Sequence, residues 1–265
     1  GLRVALERDE FHLVYQPQID AASGRMCAVE ALIRWNHPTR GLVSPAEFIP
    51  LAEEKGLIES IGLWVLRTAT ADAARWNKSG APLTVAVNLS PLQFNNPQLA
   101  SLVATALALT GLPPKLLELE VTEGALMAHT AAALKTLMAL RDQGIRIALD
   151  DFGTGFSSLA YLTRMPIGHI KIDKCFITGR LEGGENEAIV RAVLAMAGSL
   201  GMRVTAEGVE TRAQALALRA MACNTLQGFY LSRPVAADQI DALRTQHWDL
   251  CATDEPEQVA AVLSL

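Results

Sequence analysis

Ile145-Arg146-Ile147-Ala148-Leu149-Asp150-Asp151-Phe152-Gly153-Thr154-Gly155 reads as an apolar strand running into two adjacent acids and a Gly-rich turn. Alternation and β-branched residues mark a strand entering a core, and the Gly-x-Gly marks its end. The acids are therefore expected at the strand tip. Neighbouring carboxylates repel, and desolvating them without partners is costly, so such a pair implies bound cations or a raised pKa. A solvated Asp-Asp turn with a helix cap is the competing reading of the pair alone.

Working outward, strand-like and helix-like segments alternate. Phe11 to Asp20 and Met26 to Trp35 read as strands joined by Ala21-Ala22-Ser23-Gly24. So short a connection demands an antiparallel pair, because a parallel crossover needs about a dozen residues or more. Further strands are predicted at Leu83 to Ser90, Leu116 to Glu123, Ile145 to Leu149, His169 to Asp173, Arg203 to Val209 and Thr225 to Leu231. Helices separate them, with the first opened by Ser44-Pro45-Ala46-Glu47, an N-cap, a proline and a first-turn acid. Eight strands in 265 residues predict an α/β fold, a TIM-type (β/α)8 barrel with an antiparallel first strand. Residues 1–248 are expected to form this barrel, with 249–265 a C-terminal tail of the same domain.

Composition narrows the function. A net charge of -5 without any basic block argues against a polymeric nucleic-acid partner. Cys27, Cys175, Cys223 and Cys251 form no C-x-x-C pair, which suits reduced thiols in a cytoplasmic protein; Cys27 and Cys175, in or beside strands, are expected to be buried. No apolar run reaches the roughly 18 residues of a membrane span, so this segment is expected to make no membrane contact. The opening Gly1-Leu2-Arg3 looks like a cut from a longer protein, whose parent could be anchored to the inner membrane.

In a barrel of this kind the C-terminal ends of the strands share one mouth. Glu30, Asn88, Glu120, Asp150, Asp151, Lys171, Glu207 and Gln227 fall at those positions. Each could separately be a surface residue or a cap, but together they interrupt strands otherwise built from Val, Ile, Leu and Ala. Oxygen ligands without Cys or His select hard divalent ions such as Mg²⁺ or Mn²⁺. Adjacent acids able to flank two ions suggest a phosphodiester hydrolase, because two-metal sites hold attacking water and leaving oxygen in line.

Glu30-Ala31-Leu32-Ile33-Arg34-Trp35, Asn88-Leu89-Ser90, Glu120-Val121-Thr122-Glu123, Asp150-Asp151-Phe152-Gly153, Lys171-Ile172-Asp173, Ala206-Glu207-Gly208-Val209-Glu210 and Gln227-Gly228-Phe229 form an ordered set that resembles the EAL-domain cyclic di-GMP phosphodiesterases. The resemblance runs from about Leu2 to Pro234. It implies hydrolysis of cyclic di-GMP to linear pGpG and two metal ions, Mg²⁺ or Mn²⁺, per active site. Glu30, Asn88, Glu120 and Asp150 would hold one metal, and Asp150, Asp151 and Glu207 the second. Lys171 would stand beside the attacking water, Lys171 or Glu207 would take its proton, and Gln227 would orient the surrounding shell. Gln16, Leu32, Arg34, Asp173 and Phe229 would lie against substrate, while Glu123 would brace the loop from Gly153 to Ser158. The same resemblance implies a homodimer and an upstream sensory or GGDEF-type domain. Gly168, Asn224 and Gly124 depart from the common family pattern, and none is an expected ligand. Capture of cyclic di-GMP without cleavage is the alternative function.

Overall fold

The β-rich segments Phe11–Asp20 (β1) and Arg25–His37 (β2) pair antiparallel from Phe11 opposite Trp35 to Asp20 opposite Arg25. Gly24 closes their turn at φ +61°, and a Cβ at this position would strike the Trp248 carbonyl. The computed structural model describes residues 1–250, except 79, 129, 154–161, 180 and 182, and only the backbone at 95, 127, 128 and 130–133. A short strand, Gly41–Val43 (β3), extends β2 outside the barrel. Phe11, Trp35 and Phe48 then pack ring to ring at 5.6–5.8 Å, seating the helix Pro45–Glu54 on this hairpin.

From there the strands are Thr84–Leu89 (β4), Leu117–Thr122 (β5), Arg146–Phe152 (β6), His169–Ile172 (β7), Arg203–Ala206 (β8) and Thr225–Leu226 (β9). β2 and β4 through β9 run parallel, each paired with the next. Strand β1 closes the cylinder by pairing antiparallel with both β2 and β9. The result is the expected closed eight-stranded barrel with an antiparallel first strand, and β3 is an appendage to it.

Leu117, Leu119 and Val121 alternate with Glu118 and Glu120 along β5, and all five are buried. The two acids contact side chains of β7, which is not a neighbour of β5 in the sheet, so they project into the barrel. Their apolar partners project toward the helices, where the main hydrophobic core lies. This barrel therefore keeps its apolar packing outside the sheet and its polar groups within it.

Three local expectations change. The acid pair lies inside β6, not beyond it: the register breaks between Leu149 and Phe152, and Asp151 adopts φ +55°. A bulge adds a residue to one side of the ladder, so Asp150 and Asp151, which regular alternation would send to opposite faces, both fall between the outward-facing Leu149 and Phe152. The last strand stops at Leu226, because the chain turns back onto β8's end, with Val209 N–H donating to the Gln227 carbonyl. Cys175 is exposed on the helix Lys174–Ile177, since that segment leaves the sheet at Asp173. Trp248 anchors the chain end through bonds to Gly24 and Leu231, whereas Cys251 and the tail 251–265 lie outside the described residues.

Gly228 presses against the Val209 backbone, so a Cβ there would overlap main-chain atoms that cannot rotate away. Gly228→Ala is expected to destabilise the fold by about 1–3 kcal/mol through overpacking. Urea denaturation checks this, and an unchanged midpoint would refute the close approach.

Candidate active site at the barrel mouth

The ammonium of Lys171, on β7, is only 1 % exposed and stands among acids from the ends of β5, β6 and β8 and from Glu30, which lies within the long β2 and not at its expected end. It lies 2.7 Å from Glu120 Oε2, 2.7 Å from Glu207 Oε1, 3.1 Å from Asp150 Oδ1 and 3.6 Å from Glu30 Oε2. Glu30 is held further by the Asn88 amide, which donates to Oε1 at 2.7 Å, and by Gln227 Nε2, which donates to Oε2 at 2.6 Å. The structure thus brings Glu30, Asn88, Glu120, Asp150, Lys171, Glu207 and Gln227 into one cluster. Asp151 is half-buried beside it, next to Asp150 in the bulge.

Four carboxylates face one ammonium, and burial makes the surplus negative charge expensive. Burial and the neighbouring acids push Glu120 well above the ordinary carboxylate range despite its contact with Lys171. Burial likewise raises Glu207 to about 7, with Asp150 and Glu30 adding to the shift. Burial would raise Glu30 too, but Lys171 and the bonds from Gln227 and Asn88 outweigh it and leave it below its usual value. Burial opposes the charge of Lys171, yet Glu120, Glu207, Glu30 and Asp150 together hold it firmly protonated. Asp151 is raised by burial and by Asp150 next to it.

Among the described residues no three His, Cys, Asp or Glu side chains are arranged to hold a metal ion, because the ammonium fills the centre of the acids. The donor set nevertheless suits a hard cation: it is all oxygen, and Glu120 Oε1 is buried without a hydrogen-bond partner among the described residues.

The remaining candidates divide by position. Gln16 lies inside, opposite Glu30 in the ladder; its Oε1 accepts from Gln227 at 3.2 Å. Arg34 and Leu32 are partly exposed on β2, and the Arg34 guanidinium donates to the Ile33 carbonyl at 2.9 Å. Phe229 is 52 % exposed and carries the Arg233 guanidinium over its ring at 4.4 Å. Asp173 caps the helix Lys174–Ile177 by accepting from Cys175 N–H at 2.9 Å. Glu123 is buried with neither oxygen bonded among the described residues; the loop it is expected to brace falls at 154–158, outside them.

A second tier lies beneath the first and escaped the sequence reading. His169 Nδ1 sits 3.0 Å from both oxygens of Glu118, and its Nε2 sits 2.8 Å from Thr205 Oγ1. Gln18 donates to Gln227 Oε1 at 2.9 Å. Glu118, His169 and Thr205 each precede a site residue by two positions, a spacing that puts them on the same inner face.

A family model described as the EAL domain matches residues 1–234. An uncharacterized signaling protein of Caulobacter vibrioides is 52% identical over 239 residues, covering 90% of this chain and 29% of that protein. The bifunctional diguanylate cyclase/cyclic di-GMP phosphodiesterase MucR of Pseudomonas aeruginosa is 47% identical over 240 residues, covering 90% of this chain and 35% of the relative. The chain thus spans about a third of these relatives' length. A structure of the PaMucR phosphodiesterase in complex with c-di-GMP superposes with a TM-score of 0.86 at 46% identity, covering 90% of this chain and 97% of that one.

Burial opposes charge on Glu118, but His169 offsets this and holds its carboxyl below 4.5, with Arg146 helping. Its stabilisation is therefore complete above the unfolded value of 4.5 and fades as pH falls through the lower folded one. Glu118→Gln is expected to cost about 1–3 kcal/mol near neutral pH and less in acid. Urea midpoints across pH check the sign; a gap that widens in acid would contradict it. With the motif order, the barrel and the acid cluster in agreement, the chain belongs to the EAL-domain family.

Proposed function

We propose that this chain is a phosphodiesterase that opens one phosphodiester of cyclic di-GMP to give linear pGpG. The observation that carries this reading is the convergence of Glu30, Asn88, Glu120, Asp150 and Glu207 on Lys171 at the mouth, in a chain 46% identical to a phosphodiesterase whose structure contains c-di-GMP. A binding surface alone does not require so many buried acids.

Two divalent cations, Mg²⁺ or Mn²⁺, are proposed as cofactors: Glu30, Asn88, Glu120 and Asp150 would hold one, and Asp150, Asp151 and Glu207 the other. Bound there, they would supply Lewis-acid polarisation of the phosphate and a lowered pKa for the attacking water. The chain's own residues supply position and proton transfer. Lys171, held protonated, offers positive charge to the anionic phosphorane-like transition state. Glu207, whose carboxylate stands 2.7 Å from the Lys171 ammonium at the mouth, is placed to accept the proton of the attacking water. Gln227 fixes Glu30, and Arg34 offers a guanidinium fork to a phosphate oxygen. Phe229 offers an exposed ring for a guanine, with Gln16, Leu32 and Asp173 bounding the substrate.

Purified protein should convert cyclic di-GMP to pGpG in single-turnover assays with Mg²⁺ or Mn²⁺, and EDTA should stop it. Glu30→Ala should lower turnover by at least about 10³-fold with little change in the unfolding midpoint. Turnover that survives EDTA would overturn the cofactor reading, and tight binding without cleavage would favour a receptor. A homodimer and an upstream sensory or GGDEF-type domain are proposed on family grounds. Sedimentation showing only monomer at high concentration would refute the dimer.

A further inference from the structure

A second cavity of about 450 Å³ opens at the opposite end of the barrel. Thr84, Arg146, His169, Arg203 and Thr225 line it, and each is the first residue of its parallel strand. It therefore lies at the strand N-termini, beneath the Glu118–His169 tier and away from the mouth. A water occupies about 30 Å³, whereas ligand pockets commonly hold about 300–1,000 Å³, so this space is of ligand size.

Its charges are asymmetric. Arg141, Arg146 and Arg203 line it from exposed positions, and Glu118 is the one carboxylate in the lining of this described cavity. Glu118 is already committed to His169. Arg146 donates to the neutral Thr84 hydroxyl, and Arg203 has an acid, Asp20, only at 3.8 Å. Arg141 pairs with Asp142 on the surface. The rim thus presents three guanidiniums, of which Arg146 and Arg203 have no carboxylate within 3.5 Å among the described residues.

The inner wall asks for the opposite. Gln18 is 1 % exposed, and its Oε1 has no hydrogen-bond partner among the described residues. The orientation of its amide is forced. Gln227 must turn its NH₂ toward the Glu30 carboxylate, leaving its oxygen to accept from Gln18 Nε2. The free Gln18 oxygen can then only accept. A buried acceptor without a partner has lost its water and gained nothing in return, and a donor arriving with a ligand makes that good.

We propose that this basal cavity is a second ligand site, taking a small phosphorylated molecule whose phosphate meets Arg146 and Arg203 and whose body brings O–H or N–H donors to Gln18. The guanidinium fork matches phosphate oxygens, and a hydroxyl-bearing body meets the acceptor that a bare anion leaves unfilled.

Calorimetric titration with ribose 5-phosphate and with inorganic phosphate, in EDTA, tests the site without relying on catalysis. Ribose 5-phosphate should bind saturably and more tightly than inorganic phosphate. Arg146→Gln/Arg203→Gln should weaken it by at least about tenfold, while Arg34→Ala, at the mouth, should leave it unchanged. Arg203 is exposed, whereas Arg146 also supports Glu118 and bonds Thr84, so should the double variant melt early, Arg203→Gln alone makes the comparison. Binding lost in Arg34→Ala but kept in the basal variants would place the probe at the mouth and overturn the proposal. So would ribose 5-phosphate binding no more tightly than inorganic phosphate, or no saturable binding of either.

Discussion

A lysine ammonium with almost no access to water must be surrounded by acids, and much of this structure follows from that demand. Lys171 reaches its partners from the middle of the barrel, so Glu30, Glu120, Asp150 and Glu207 must arrive from four different strands at nearly one height. Only a closed cylinder with fixed stagger presents separate strand ends to one point in this way. Breaking such a cluster is costly because it leaves unpaired charge behind, whereas forming it yields little net stability. The arrangement makes better sense as stored electrostatic capacity, an acid-rich mouth balanced by one buried cation, with burial pushing Glu120 and Glu207 toward their neutral forms.

Filling a barrel with polar groups changes where the hydrophobic effect acts. The inner faces of β5, β7 and β8 carry Glu118, Glu120, His169, Lys171 and Thr205, and the outer faces carry Leu, Val and Ile against the helices. Burial on both sides keeps these strands dry, while every inner polar group must find a partner across the lumen. Two tiers result, one of acids around Lys171 and one of Glu118, His169 and Thr205. The reversed direction of β1 contributes to both: Gln16 reaches Gln227 near the mouth, and Gln18 reaches the same amide from below. Gln227 is consequently the hinge of the network, with Glu30 above and Gln18 beneath.

Much of this was legible in the chain. Four turn residues after Asp20 forced an antiparallel pair, and the alternation that followed required parallel strands with helices between them. Expected position at strand ends marked Glu30, Asn88, Glu120, Asp150, Lys171, Glu207 and Gln227, and the structure gathers all of them, although Glu30 comes from within β2, which runs on past the mouth to His37. Periodicity was weaker at the final strand, where Gln227 to Leu231 keeps an apolar look although Gly228 carries the chain tightly past Val209. The lower tier went unread because an acid or His inside a strand has a period but no stated partner. Glu118 and His169 are 51 residues apart, and nothing local pairs them.

The sequence by itself determined the eight strands of the barrel, though not the appended β3, together with the antiparallel start, the family and the identity of the mouth residues, because those depend on local periodicity, turn length and motif order. Tertiary structure alone decided that Lys171 stands at the centre of the acids, that a bulge seats Asp151 beside Asp150, and that Gln18 is left with an empty acceptor beside a basal cavity. Those outcomes depend on strand stagger and on competition among partners distant in the chain, and barrel closure sets both.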